Sequence, residues 1–100
     1  MDDAINTCID ACTICSQRIP ELHRTCLRCI CMCKMLLNIV YVHMDGLREL
    51  CYEYCITACQ ECQQQCETHH AINAFHQGLC RVCADSCKRC IEAIKREKSM

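Results

Sequence analysis

The sequence predicts an all-α protein, an antiparallel up-down-up-down four-helix bundle in which residues 1–100 form one domain. Three observations lead there. Glycine and proline number only two and one in 100 residues, too few for a loop-rich chain. Breaks at Pro20, at Asp45-Gly46 and between Thr68 and Gly78 divide the chain into four pieces of similar length. Within each piece the apolar residues, including most of the sixteen cysteines, recur at spacings of three and four.

The first helix is expected from about Asp3 to Arg18. At about 100° per residue, Cys8, Cys12 and Cys15 fall within about 60° of one another, with Ile5 and Ile19 on the same stripe. Pro20 suits the first turn of a second helix, where its missing N–H costs little, and this helix is expected to continue to His43. Its stripe holds Cys26, Cys29 and Cys33, then Leu36, Val40 and Met44. Asp45 can end the second helix or cap a third, expected from Leu47 to His70. Five cysteines of that helix, Cys51, Cys55, Cys59, Cys62 and Cys66, lie within about 80°. Asn73 is a candidate N-cap for a fourth helix running to about Arg96. There Cys80, Cys83, Cys87 and Cys90 again fall within about 80°, and Ile94 extends the line. Charged residues avoid these stripes, as Asp10, Glu53, Glu67, Arg81, Asp85 and Lys88 do. Cys31 is the exception, about 140° from Cys26 and among Arg24, Arg28 and Lys34, so it is expected to face outward. The second helix is also apolar around much of its circumference from Ile30 to Val42, more than one buried stripe needs, and is read as an oligomer face.

Composition narrows the classes of function. Eleven basic residues against twelve acidic ones give a net charge of −1, with no broad basic field for nucleic acid or for a membrane surface. The apolar run from Met35 to Met44 is far shorter than the roughly 20 residues of a membrane span. Cysteine at this density in a short chain ordinarily indicates a secreted disulfide scaffold. Against that, the first residues, Met1-Asp2-Asp3-Ala4-Ile5-Asn6, are acidic and polar where an export signal is basic and then apolar, so a cytoplasmic location is expected. In a reducing compartment the thiols stay thiols unless a metal takes them.

Fifteen inward thiols call for a chemical explanation. As mere core filling they would forgo several methylenes per position relative to leucine, at about 0.8 kcal/mol each. Disulfides do not explain the pattern within a helix, where neighbours three or four apart hold their Cβ atoms about 5–6 Å apart and a bridge wants roughly 3.5–4.5 Å. Zinc and other soft metals remain an alternative, but four stripes offer many more sulfurs than discrete tetrahedral sites use. Neither the compact cysteine run of an iron–sulfur protein nor the C-x-x-C-H of haem attachment is present. Cu(I) fits best, being soft, partial to thiolates and content with two or three ligands. A bis-thiolate Cu(I) in a dry core carries −1, whereas one ion per bridging thiolate is neutral. Filling is therefore expected to approach one ion per inward cysteine, on the order of 15 per chain. The expected ligands are Cys8, Cys12, Cys15, Cys26, Cys29, Cys33, Cys51, Cys55, Cys59, Cys62, Cys66, Cys80, Cys83, Cys87 and Cys90. Pairs four apart such as Cys8/Cys12 and Cys29/Cys33 would hold ions, and pairs three apart such as Cys12/Cys15 and Cys80/Cys83 would link them.

Successive helices carrying C-x-x-x-C and C-x-x-C, as in Cys8-Ile9-Asp10-Ala11-Cys12 with Cys15, Cys51 through Cys66, and Cys80-Arg81-Val82-Cys83-Ala84-Asp85-Ser86-Cys87 with Cys90, resemble the bacterial four-helix-bundle copper storage proteins. A chain without an export signal resembles their cytosolic branch. The resemblance implies a homotetramer of bundles, each holding many Cu(I) ions, and a storage or detoxification role. Two departures are the run Cys29-Ile30-Cys31-Met32-Cys33 and the absence of cysteine from the second half of the second helix, so the family's stoichiometry does not transfer.

The bundle topology places His23, His69, His70 and His76 at one end, near Cys15, Cys26, Cys66 and Cys80, where imidazole could receive Cu(I) more weakly than thiolate and pass it inward. Met44 is assigned to the core, and His43 has no role. The competing function is a copper chaperone or buffer that donates to a partner, which needs one exposed, exchangeable site. No cysteine is paired with an activating base as a redox or nucleophilic enzyme requires, so no catalysis is expected.

Overall fold

A computed structural model describes residues 1–39 and 45–99, apart from the side chain of Asp45. Its elements are α1 (Asp2–Arg18), a short 3₁₀ turn (Pro20–Leu22), α2 (His23–Ile39), α3 (Asp45–Thr68) and α4 (Ala74–Lys98), with no strand among the described residues. The expected extension of the second helix through His43, with Val40 and Met44 on its stripe, lies outside the described residues.

Local chemistry sets the boundaries. Proline disfavours the helical region for the residue before it, and Ile19 is accordingly extended at φ −125° and ψ 93°. Its N–H still closes the last turn of α1 on the Cys15 carbonyl at 2.9 Å. Pro20 opens the 3₁₀ turn instead of α2 itself, which refines the expected start of the second helix by three residues. Asn73 caps α4 as expected, since it is extended and its side-chain oxygen accepts the His76 N–H at 2.8 Å. The last turn of α4 carries Lys95, Arg96 and Lys98, whose charges favour the negative end of the helix dipole.

The sulfur contacts report helix direction. Between α1 and α4, Cys8 meets Cys87 and Cys12 meets Cys83, so one number rises as the other falls. The same antiparallel order holds between α2 and α3 through Cys26–Cys62, Cys29–Cys59 and Cys33–Cys55. Between α3 and α4 it holds through Cys59–Cys90 and Cys62–Cys83. Each helix packs on the next, and α1 closes the ring against α4. The result is a four-helix bundle with extents of 45 × 20 × 19 Å.

Along the axis the core changes character. At the end where α1 begins and α2 and α4 finish, Ile5, Leu36 and Ile94 are fully buried, joined by Tyr52 near the start of α3. At the other end Ile19 and Leu22 are buried beneath the first connection. Between these aliphatic plugs the core is almost wholly cysteine, a column that on α3 alone runs from Cys51 to Cys66, about 22 Å at 1.5 Å per residue. On the outside of α2, Leu27 and Met35 are exposed, while Ile30 is buried and Met32, Leu37 and Ile39 pack partly against the core.

Candidate metal centre

Fifteen of the sixteen cysteines are buried, and Cys31 is exposed, as the helical phases require. All sixteen are free thiols. The arrangement follows from the wheel positions: a residue every three or four along each helix projects toward the axis, and four such rows meet there.

Neighbouring sulfurs approach to van der Waals distance. Cys29 and Cys59 lie 3.5 Å apart, Cys12 and Cys83 3.6 Å, Cys8 and Cys29 3.7 Å, and Cys33 and Cys55 3.7 Å. Sets of four Sγ atoms, all within 4.8 Å of one another, follow one another along the bundle. Starting from the histidine end they are Cys15/Cys26/Cys66/Cys83, Cys12/Cys26/Cys62/Cys83 and Cys8/Cys12/Cys29/Cys87, followed by Cys8/Cys29/Cys33/Cys59 and Cys33/Cys55/Cys59/Cys90. Consecutive sets share members: Cys26 and Cys83, then Cys12, then Cys8 and Cys29, then Cys33 and Cys59. The sulfurs therefore form a continuous ladder instead of separate cages. Every inward cysteine except Cys51 and Cys80 belongs to it.

This grouping differs from a reading along single helices. The four-apart pairs Cys8/Cys12, Cys29/Cys33 and Cys55/Cys59 each share a set, but no set contains a three-apart pair. A step of three residues turns the side chain by about −60° and a step of four by only about +40°, so four-apart thiols point more nearly the same way although they lie farther apart along the axis, and the other partners in each set come from other helices. Wheel phase finds the stripe; only the packing finds the partner across it.

The ladder governs its own protonation. Cys8, Cys29 and Cys62 are pushed below the ordinary thiol value chiefly by hydrogen bonds with Cys12, Cys29 to about 7, and Cys55 chiefly by one with Cys33. The donors move the other way: Cys12 is pushed up, first through its contact with Cys26, and Cys33 first through Cys29. A negative sulfur is thus tolerated where neighbouring S–H groups point at it, and the neighbours keep their protons in turn. At the end of the column Cys80 is pushed up to about 11, chiefly by burial and then by the nearby Cys15. Without a cation, few of these thiols can be thiolates together. A soft cation that replaces their protons relieves that restriction.

Among the described residues the histidines stand apart from the sulfur sets, none of which includes an imidazole. His23 and His70 are exposed, and His69 and His76 are half-buried. His69 shares a cavity with cysteine: a cleft of about 420 Å³ between α3 and α4 is lined by His69, Cys66 and Cys80 together with charged residues of α4. Sequence phase placed His69 near the stripe but gave no sign of this cleft, which is formed by residues of two helices together.

With this geometry in hand, the comparisons with known proteins are specific. A family model described as "Csp: Copper storage protein" matches residues 1–99. No curated protein and no solved structure is matched by the chain.

Proposed function

The chain belongs to the copper storage protein family, and from that premise we propose that it stores the metal as Cu(I), bound in many copies by Cys8, Cys12, Cys15, Cys26, Cys29, Cys33, Cys51, Cys55, Cys59, Cys62, Cys66, Cys80, Cys83, Cys87 and Cys90. The observation that carries this reading is the sharing of sulfurs between consecutive sets. Shared sulfurs are bridging ligands, and bridging lets one thiolate neutralise parts of two ions. An array with as many Cu(I) ions as thiolates is then neutral overall, which a dry core between aliphatic plugs demands. Filling toward on the order of 15 ions per chain follows from that charge balance. Storage here is a binding function without catalysis, carried out in the cytoplasm by a homo-oligomer, a tetramer by analogy with the family.

His23, His69, His70 and His76 enter the proposal as weaker donors at the end where α1 meets α2 and α3 meets α4, His69 foremost because of its cleft. Imidazole holds Cu(I) less firmly than thiolate, so an ion received there has a downhill path into the column.

One observation favours a second reading. Three of the sets, Cys15/Cys26/Cys66/Cys83, Cys8/Cys12/Cys29/Cys87 and Cys33/Cys55/Cys59/Cys90, have no member in common, and four sulfurs at one centre are what zinc takes. Each such zinc site would leave −2 in the core, and three would leave −6, which weighs against it. Anaerobic titration of the fully reduced protein with Cu(I) against a competing chelator decides the matter. Tight binding that continues to the thiol count supports storage as Cu(I). A stop near three ions, with tight zinc binding of the same count, supports the discrete tetrads, and a stop at one or two ions favours a chaperone.

A further inference from the structure

In the cleft between α3 and α4 the sulfur column meets a cavity with charged walls. Cys66 and Cys80 form part of its lining, and both are buried, with 3% and 5% of their surface exposed. Cys66 belongs to the outermost four-sulfur set, whereas Cys80 belongs to none and interacts with Cys15 of that set. Cys80 is therefore an uncommitted thiol one contact away from the ladder. At the end of the bundle proper Ile19 and Leu22 are buried.

The charged part of the lining is mixed. Arg81 and Lys88 are exposed on α4, Glu67 and Asp85 stand near them, and none of the four has an ion-pair partner among the described residues. Unpaired charges of both signs around two thiols match a ligand that is itself zwitterionic and brings a sulfur. At about 420 Å³ the cleft falls within the usual range for a small-molecule site.

We propose that this cleft is a loading site for Cu(I) delivered as a complex with a low-molecular-weight thiol carrying amine and carboxylate groups. The proposal rests on the storage reading and adds the form in which the metal arrives. Arg81 and Lys88 take the carboxylates, Glu67 and Asp85 the amine, and the bound Cu(I) is presented to Cys80 and His69. Transfer is ligand exchange without redox change. The Cys80 sulfur bonds to Cu(I), one carrier thiolate leaves, and the proton of the Cys80 thiol ends on the departing carrier. Cys66 then displaces the second carrier thiolate in the same way, giving a Cys80–Cu–Cys66 bis-thiolate and a second free carrier thiol. The copper bis-thiolate unit keeps its charge of −1 at each step, and the charge it brings to the edge of the core is neutralised as further ions bridge the sulfurs.

The test is the rate of Cu(I) loading into the reduced, full chain, measured anaerobically with two donors, Cu(I) in excess glutathione and Cu(I) in acetonitrile. For the native protein the rate should saturate with the glutathione complex. In the Arg81→Ala/Lys88→Ala variant the rate at low concentration should fall about a hundredfold with the glutathione complex, about tenfold for each of the two charged hydrogen bonds lost, and be unchanged with acetonitrile. Cys80→Ser should slow loading from both donors while leaving the remaining capacity intact, and Arg28→Ala, on the α2 side, should match the native rate. A linear dependence on the glutathione complex, an equal loss with both donors in the Arg81→Ala/Lys88→Ala variant, or native rates in Cys80→Ser would each overturn the loading site. Final capacity is read in the same experiment, and a native capacity of only one or two ions would instead overturn the storage reading on which it rests.

Discussion

At the scale of single residues, the same side chain has three different meanings in this protein, set by its neighbours. Cys59 is fully buried, belongs to two sulfur sets and lies 3.5 Å from Cys29 and 3.8 Å from Cys90. Cys51 is buried but outside every set among the described residues, and Cys31 faces water. Serine keeps the size of cysteine and replaces a soft donor with a hard one, so Cu(I) capacity should respond in that order. Cys59→Ser should lose more than one ion per chain in the chelator titration, Cys51→Ser no more than one, and Cys31→Ser none. Cys80 adds a pH dependence of the metal-free protein. Burial raises its thiol from 9.0 to about 11, so the folded state holds this proton more firmly than the unfolded chain does. Its contribution to stability is complete below pH 9 and is lost as pH rises through about 11. Urea midpoints of the reduced apoprotein should fall across that window, and less so in Cys80→Ala.

At the scale of helices, capping and backbone choices locate the ends of the cysteine rows. The Asn73 cap fixes the start of α4, seven residues ahead of Cys80, and Asn73→Ala should destabilise the apoprotein by about 1 kcal/mol in chemical denaturation. Gly78 lies inside the first turns of α4, has no positive φ, and a Cβ built there meets nothing within 4 Å. Gly78→Ala should therefore stabilise the fold by about 0.5–1 kcal/mol, since alanine forfeits less chain entropy in a helix. The exposed ion pair between Arg28 and Glu61 at 2.7 Å joins α2 to α3, and at these exposures it contributes little.

At the scale of the whole molecule, metal and fold are linked. The aliphatic plugs Ile5, Leu36 and Ile94 at one end and Ile19 and Leu22 at the other supply ordinary hydrophobic packing, while the long middle of the core is thiol. Ligands that bind only the folded arrangement stabilise it by mass action, so Cu(I) loading should raise the melting temperature progressively, and a strong chelator should reverse the gain. Each thiol must lose its proton to bind the metal. Loading should thus release protons, and the apparent affinity should fall as pH is lowered, both readable by titration in weak buffer.

Much of this molecule is written in the spacing of its residues. Scarce glycine and proline, breaks at Pro20 and near Asn73, and cysteines at three- and four-residue steps determined four helices, the inward face of each, and Cys31 as the one outward thiol. These are local properties, because helical geometry alone fixes which residues share a face. The partners across the axis are a different matter. That Cys12 meets Cys83 and Cys62 while Cys80 is left out of every set among the described residues depends on the relative height of four helices, a property of their packing together and of no single helix. The cleft beside Cys66, His69 and Cys80 has the same origin. A sequence specifies which way a thiol points through local geometry, but the sulfur it faces is chosen only when long-range packing sets the register.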